Sequence, residues 1–206
     1  MTSTDTTSSR YTAFAGHRRI AAGDRATVAA ALSAAVKAGS SRLVVFEDAT
    51  GRQVDFDLGG SEADVAARFA APESQAIEPR RQGRGRPKLG VVAREVTLLP
   101  RHWDWLASQP GGASAVLRRL VDQARKANVA ADDARRARDA AYRLMAALAG
   151  DLPGFEEAAR ALFGADLAGA RRIVAAWPPD VAAYLVLRLD QMNRLEEANR
   201  AQTDDA

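Results

Sequence analysis

The cationic side chains between residues 80 and 127 are the groups of this sequence whose type and spacing indicate a chemistry. Residues 80–127 carry 11 basic and 3 acidic side chains, a net charge of +8. Residues 1–79 (8 basic, 10 acidic) and residues 128–206 (10 basic, 13 acidic) are mildly acidic, at −2 and −3. A concentrated block of cations attracts a polyanion, because binding releases the counterions condensed on it. The charge pattern therefore predicts that this block contacts nucleic acid.

The first residues of the block, 80–88, contain the segment Arg84-Gly85-Arg86-Pro87, which resembles the core of an AT-hook. Gly85 has no side chain, so an extended backbone can lie on the floor of a narrow minor groove. The two arginines then run along the groove, where A·T tracts concentrate negative potential. Pro87 fixes its φ angle and directs the chain outward. The neighbouring residues predicted to contact phosphates are Arg80, Arg81 and Lys88. Because the match is short, a flexible basic spacer is the alternative interpretation.

Residues 91–127 show a strand-like pattern followed by two helical ones. Residues 91–99 are β-rich, and Pro100 is placed to begin a helix because its missing N–H is not needed there. Trp103 and Leu106 share one face of this first helix, so Trp103 is predicted to lie in the core. A Gly-rich turn and a second amphipathic helix over residues 113–126 follow. Strand, Pro-initiated helix, turn and helix together resemble the ribbon-helix-helix fold.

This resemblance implies a homodimer on DNA. Two chains of that family pair their single strands into an antiparallel ribbon that enters the major groove, and the second helix holds a phosphate at its N-terminus. A single strand cannot satisfy its own backbone groups, so the interpretation requires a second copy. The residues expected to hold the DNA backbone are Gly112, Ala113 and Ser114, with Ser114 accepting N–H bonds at the helix start.

The strand register of residues 94–98 stays open. One face would present Arg94, Val96 and Leu98, and the other Glu95 and Thr97. A slip of one residue exchanges the two faces, and neither set is as polar as base reading requires. Arg94 and Thr97 are the residues expected to reach bases. The alternative is a strand and two helices that serve only for dimerisation, with the hook alone contacting DNA.

The flanking segments predict an α+β protein. Residues 1–10 are read as a disordered leader, residues 11–70 as a small α+β domain of the ββαββα kind, and residues 71–90 as the basic linker. The predicted strands of the small α+β domain cover residues 11–15, 18–21, 43–47 and 53–58, and its predicted helices cover residues 25–37 and 61–69. Asp24 is the predicted N-cap of the first helix, and residues 48–51 form the predicted hairpin turn. Residues 128–200 form a helical region, and residues 201–206 a frayed tail.

Composition argues against most enzymatic chemistry. Cysteine is absent, so disulfides, thiol nucleophiles and thiolate metal sites are excluded. The histidines, His17 and His102, lie far apart without a partnering catalytic motif, and no phosphate-binding loop follows a strand. We therefore expect no enzymatic activity, cofactor or metal. No apolar run is long enough to span a membrane, and the start lacks a signal-peptide core, so a cytoplasmic, nucleoid location is predicted.

The whole chain also resembles an uncharacterised proteobacterial family in which Gly85-Arg-Pro-Lys and Leu98-Leu-Pro-Arg-His-Trp-Asp-Trp105 recur. That family has no assigned activity, so the functional prediction depends on the basic block. We expect a DNA-binding regulatory or nucleoid-associated protein that contacts A·T-rich DNA as a dimer. A protein–protein adaptor with a nonspecific basic linker is the alternative.

Overall fold

A computed structural model describes residues 10–70 and 92–204. The first of these segments holds the strands β1 (Tyr11–Ala15), β2 (Arg18–Gly23) and β3 (Leu43–Glu47), and the helices α1 (Arg25–Lys37) and α2 (Glu62–Ala70). In the described residues β1 is central and antiparallel to both neighbours, in the order β2-β1-β3. The predicted α+β class is confirmed for this segment.

Local signals account for the helix boundaries of the N-terminal segment. The Asp24 carboxylate accepts a hydrogen bond from the Thr27 amide at 2.8 Å, as an N-cap does, and this bond lowers the pKa of Asp24. Ser61 and Asp64 exchange bonds at the start of α2: the Ser61 amide donates to Asp64, and the Asp64 amide donates to the Ser61 hydroxyl. Both predicted helix starts are therefore confirmed.

The predicted fourth strand is present only at its beginning. The Glu47 amide donates to the Arg52 carbonyl across the turn, Gln53 bridges Phe46, and the Val54 amide donates to the Val45 carbonyl at 2.9 Å. Beyond that point the chain leaves the sheet. Its carbonyls at Asp57 and Gly59 accept hydrogen bonds from the Arg68 guanidinium instead of from a neighbouring strand.

The C-terminal segment is helical, as predicted. Its helices are α5 (Val129–Ala149), α6 (Phe155–Phe163), α7 (Leu167–Val174) and α8 (Pro179–Asp204). Trp177 follows α7, and its indole N–H donates to the Pro153 carbonyl at 2.9 Å. In the described residues no helix is both long and apolar enough to cross a membrane.

The chain divides into two compact units, residues 1–72 with 130–206 and residues 73–129. In the first unit the sheet is covered on both faces. Tyr11, Ala13 and Val45 pack with α1, whereas Phe14 and Phe46 pack into the core formed by the C-terminal helices. This division follows the two-residue period of a strand. The N-terminal sheet and the C-terminal helices thus share a core.

The second unit contains α3 (Pro100–Ser108) and α4 (Gly112–Ala127). Both predicted helices are confirmed, and Pro100 occupies the first turn of α3. The predicted strand before them is not formed in the single chain: residues 92–99 carry no regular secondary structure and pair with no described strand. A lone strand has no hydrogen-bonding partner, which is the physical reason.

Candidate nucleic-acid interface

Most of the predicted minor-groove residues lie outside the described part of the chain. Arg80, Arg81, Arg84, Gly85, Arg86, Pro87 and Lys88 all fall between residues 71 and 91, so the hook stays a prediction. Arg94 and Thr97 are described, and both are exposed. Neither strand register is formed in one chain, so the base-reading face also stays a prediction.

Two glycines build the turn that reverses the chain between α3 and α4. Gly111 has φ +90° and is the N-cap of α4, and Gly112 follows with φ +75°. Residues with a Cβ avoid this left-handed region, which explains why the sequence places glycines here. The Gly112 amide donates to the Gln109 carbonyl at 3.3 Å and closes the turn.

The predicted phosphate-holding residues Gly112, Ala113 and Ser114 form the first turn of α4. No side chain caps this turn, so the expected capping role of Ser114 is wrong: the helix begins two residues before it. The first amides of a helix have no intrahelical acceptor. The amides of Ala113 and Ser114 are therefore those that a phosphate at this end would meet.

The two faces of α4 differ in chemistry. At 100° per residue, Arg118, Arg119, Arg125 and Lys126 fall within one sector of about 120°, which we call the cationic face. The opposite sector, which we call the apolar face, holds Val116, Leu117, Leu120, Val121 and Ala124. A helix with these two faces can pack on one side and present charge on the other.

The cations of residues 92–127 have no carboxylate partner among the described residues. All six basic side chains of residues 92–127 are exposed, and none forms a salt bridge with a described Asp or Glu. Some arginines of the first unit are paired: Arg138 pairs with Glu196 between α5 and α8, and Arg171 pairs with Asp190 between α7 and α8. The six basic side chains of residues 92–127, which lie in the predicted nucleic-acid segment, therefore have no carboxylate partner among the described residues.

The apolar face of α4 is covered over only part of its length. The nine residues of α3 extend about 14 Å and the sixteen of α4 about 24 Å, so α3 cannot cover all of α4. The two helices contact each other, and Leu106 on α3 and Val116 on α4 are buried. Beyond that contact Leu120 is 39% exposed and Val121 55% exposed.

Both tryptophans of α3 are also on the surface, Trp103 at 41% exposure and Trp105 at 48%. The core position predicted for Trp103 is therefore wrong in the single chain. Leu106, predicted to share its face, is buried.

The described residues show no cluster of metal-ligating side chains. In residues 10–70 and 92–204 no group of three or more His, Asp or Glu side chains is placed to hold a metal ion. His17 lies in the β1–β2 turn and His102 on the exposed surface of α3.

A comparison with known protein families matches residues 10–189 to the family described as "Uncharacterized protein conserved in bacteria (DUF2239)". The match covers most of the chain and agrees with the predicted resemblance to an uncharacterised bacterial family. It adds no support for the AT-hook or ribbon-helix-helix resemblance. No curated protein and no solved structure matches the chain.

Proposed function

We infer the function of this chain, which belongs to the bacterial DUF2239 family, from its own residues, and we propose that it binds DNA as a homodimer. The observation that carries the proposal is the cationic face of α4, whose four basic side chains are exposed and have no carboxylate partner among the described residues. Phosphate neutralisation supplies most of the affinity of nonspecific DNA binding, so such a face suits a DNA backbone.

The position of the apolar face supports the dimer. Because it lies opposite the cationic face, a second copy packed against Leu120 and Val121 leaves the cations pointing outward. Each α4 of the dimer would then present its first-turn amides and its basic side chains to one strand of phosphates. Preference for A·T-rich DNA is assigned to Arg84 and Arg86, by the minor-groove argument given for the sequence.

The test is a salt titration of DNA binding with an A·T-rich and a G·C-rich duplex of equal length. Fluorescence anisotropy measures the affinity for each duplex. We expect affinity for both to fall steeply between about 50 and about 200 mM salt. Arg84→Ala with Arg86→Ala should abolish the preference for the A·T-rich duplex. Arg118→Gln with Arg119→Gln should weaken binding to both duplexes equally and reduce the salt slope by about two.

A matched control is available on α5. Arg135 and Arg136 are also adjacent and exposed, and they pair with Asp132 and Asp133. Arg135→Gln with Arg136→Gln should leave binding unchanged. Undetectable binding to either duplex at low salt would overturn the proposal and favour an adaptor that binds another protein. An equal loss in the control variant would also count against it, because any surface cation would then serve.

A further inference from the structure

A cleft of about 480 Å³ lies in the first unit, between the strands β1 and β2, the turn after β3, and α8. Three arginines and one carboxylate line it: Arg10, Arg19, Arg188 and Asp48. These residues are far apart in the sequence, and the sheet and α8 bring them together. The cleft is thus a product of the fold, and its charged side chains sum to +2.

A hydrogen-bond network organises the cleft around Asp48. One oxygen of its carboxylate accepts from the Thr12 hydroxyl at 2.8 Å and from the Tyr184 hydroxyl at 2.7 Å. Burial, followed by the charge of Asp48, raises the pKa of Tyr184 well above its ordinary value, so the phenol keeps its proton and donates. The carboxylate is therefore held in one orientation by two donors.

Arg188 compensates the charge of Asp48. Its guanidinium nitrogen lies 3.4 Å from the second Asp48 oxygen, and its carbon lies 5.1 Å from the centre of the Tyr184 ring. The two side chains are only 16% and 12% exposed, so this pair is shielded from solvent. The Nε of Arg188 is buried and has no hydrogen-bond partner in the described part of the chain.

The other two arginines remain for a ligand. Arg10 precedes β1 and Arg19 lies on β2, and both side chains are exposed. Neither forms a salt bridge with a carboxylate of the described residues. The Asp180 carboxylate accepts a hydrogen bond from the Arg19 backbone amide at 2.8 Å, not from its guanidinium. The mouth of the cleft therefore carries two guanidinium groups that no described carboxylate compensates.

We propose that this cleft binds a small organic oxyanion, whose phosphate or carboxylate group lies between the guanidinium groups of Arg10 and Arg19. Guanidinium groups bind both oxyanions through paired charge-assisted hydrogen bonds. The remaining part of the ligand lies against Ala22 and Leu187, which supply an apolar wall. The volume is within the range of small-molecule sites, and the Asp48 network holds the floor in place before the ligand arrives.

The proposal is tested by isothermal titration calorimetry of the full chain with four probes: inorganic phosphate, citrate, adenosine monophosphate and its uncharged analogue adenosine. We expect adenosine monophosphate or citrate to bind with a Kd below about 1 mM. A stronger response to the phosphates identifies a phosphorylated ligand, and a stronger response to citrate a carboxylate. Adenosine should not bind measurably.

The variant Arg10→Gln with Arg19→Gln should weaken binding of the preferred anion by about tenfold or more, because charge-assisted hydrogen bonds are lost. Both side chains are exposed, so the melting temperature without ligand should not change. Arg18→Gln is the matched control: Arg18 neighbours Arg19 on β2 but does not line the cleft, and its loss should leave the Kd unchanged. The proposal is wrong if none of the anions binds, if adenosine binds as well as its monophosphate, or if both variants lose affinity equally.

Discussion

Gly51 shows at the scale of a single residue how the hairpin turn is joined to the C-terminal helices. Its φ of +64° lies in the left-handed region. A Cβ at this position would stand 2.4 Å from the Ala140 carbonyl oxygen, on the backbone of α5. The turn is also held by Arg143, which donates to the Thr50 carbonyl at 2.8 Å. Backbone cannot move aside as a flexible side chain can, so the close approach depends on glycine.

We therefore predict that Gly51→Ala destabilises the protein more than Gly39→Ala. Gly39 also has a positive φ, of +72°, but an added Cβ there would meet nothing within 4 Å. Gly39→Ala, the control, should lower the free energy of unfolding by about 1–2 kcal/mol because of its backbone conformation alone. Gly51→Ala should lower it by about 2–5 kcal/mol, because its Cβ also overlaps the backbone of α5. Urea unfolding followed by circular dichroism measures both. Equal losses of stability in the two variants would show that the turn does not approach the backbone of α5 closely enough to exclude a Cβ.

The helix α4 is the element on which the proposed dimer depends. Its apolar face is longer than α3 can cover, and its exposed part contains Leu120 and Val121. Burying a Leu or Val side chain contributes about 1.5–3 kcal/mol, and a symmetric interface buries each residue twice. Association of two copies through this surface would therefore be stabilised by the burial of Leu120 and Val121.

We predict that Leu120→Glu with Val121→Glu converts the dimer to a monomer and raises its dissociation constant by about 100-fold or more. Sedimentation velocity at micromolar concentration measures the change. Val36→Glu is the control, since Val36 on α1 is 52% exposed and Val121 is 55% exposed. A wild-type chain that sediments as a monomer, or a control that dissociates equally, would contradict the dimer and the ribbon with it.

At the scale of the whole molecule, two segments distant in sequence depend on one core. Phe14 on β1 and Phe46 on β3 are fully buried, and they pack with Leu144, Tyr184 and their neighbours from α5 and α8. Phe14 and Tyr184 have ring centres 5.4 Å apart. Neither segment can bury these side chains without the other.

We predict that a fragment of residues 1–72 does not fold cooperatively alone, because one face of its sheet would meet water. Mixing it with a fragment of residues 130–206 should restore a cooperative thermal transition. Calorimetry of the two fragments, separately and combined, gives the comparison. A sharp transition from the first fragment by itself would mean that α1 and α2 stabilise the sheet unaided, contrary to the shared core.

The sequence by itself determined the features that depend on near neighbours along the chain. The Asp24 cap, the turn over residues 48–51 and the start of α3 at Pro100 all follow from interactions within a few residues. The amphipathic pattern of α4 is local in the same sense. The concentration of positive charge in residues 80–127 is likewise a property of composition, although its partner stays a prediction.

Only the tertiary structure decided which of these elements meet. Asp48 reads in the sequence as a turn residue, yet it lies at the centre of a network with Tyr184 and Arg188, more than 130 residues away. Glu196 on α8 is likewise buried against Arg138 on α5, 58 residues away in the sequence. The physical reason is that periodicity identifies an apolar face but not its partner, because hydrophobic burial has no direction and rewards any complementary surface.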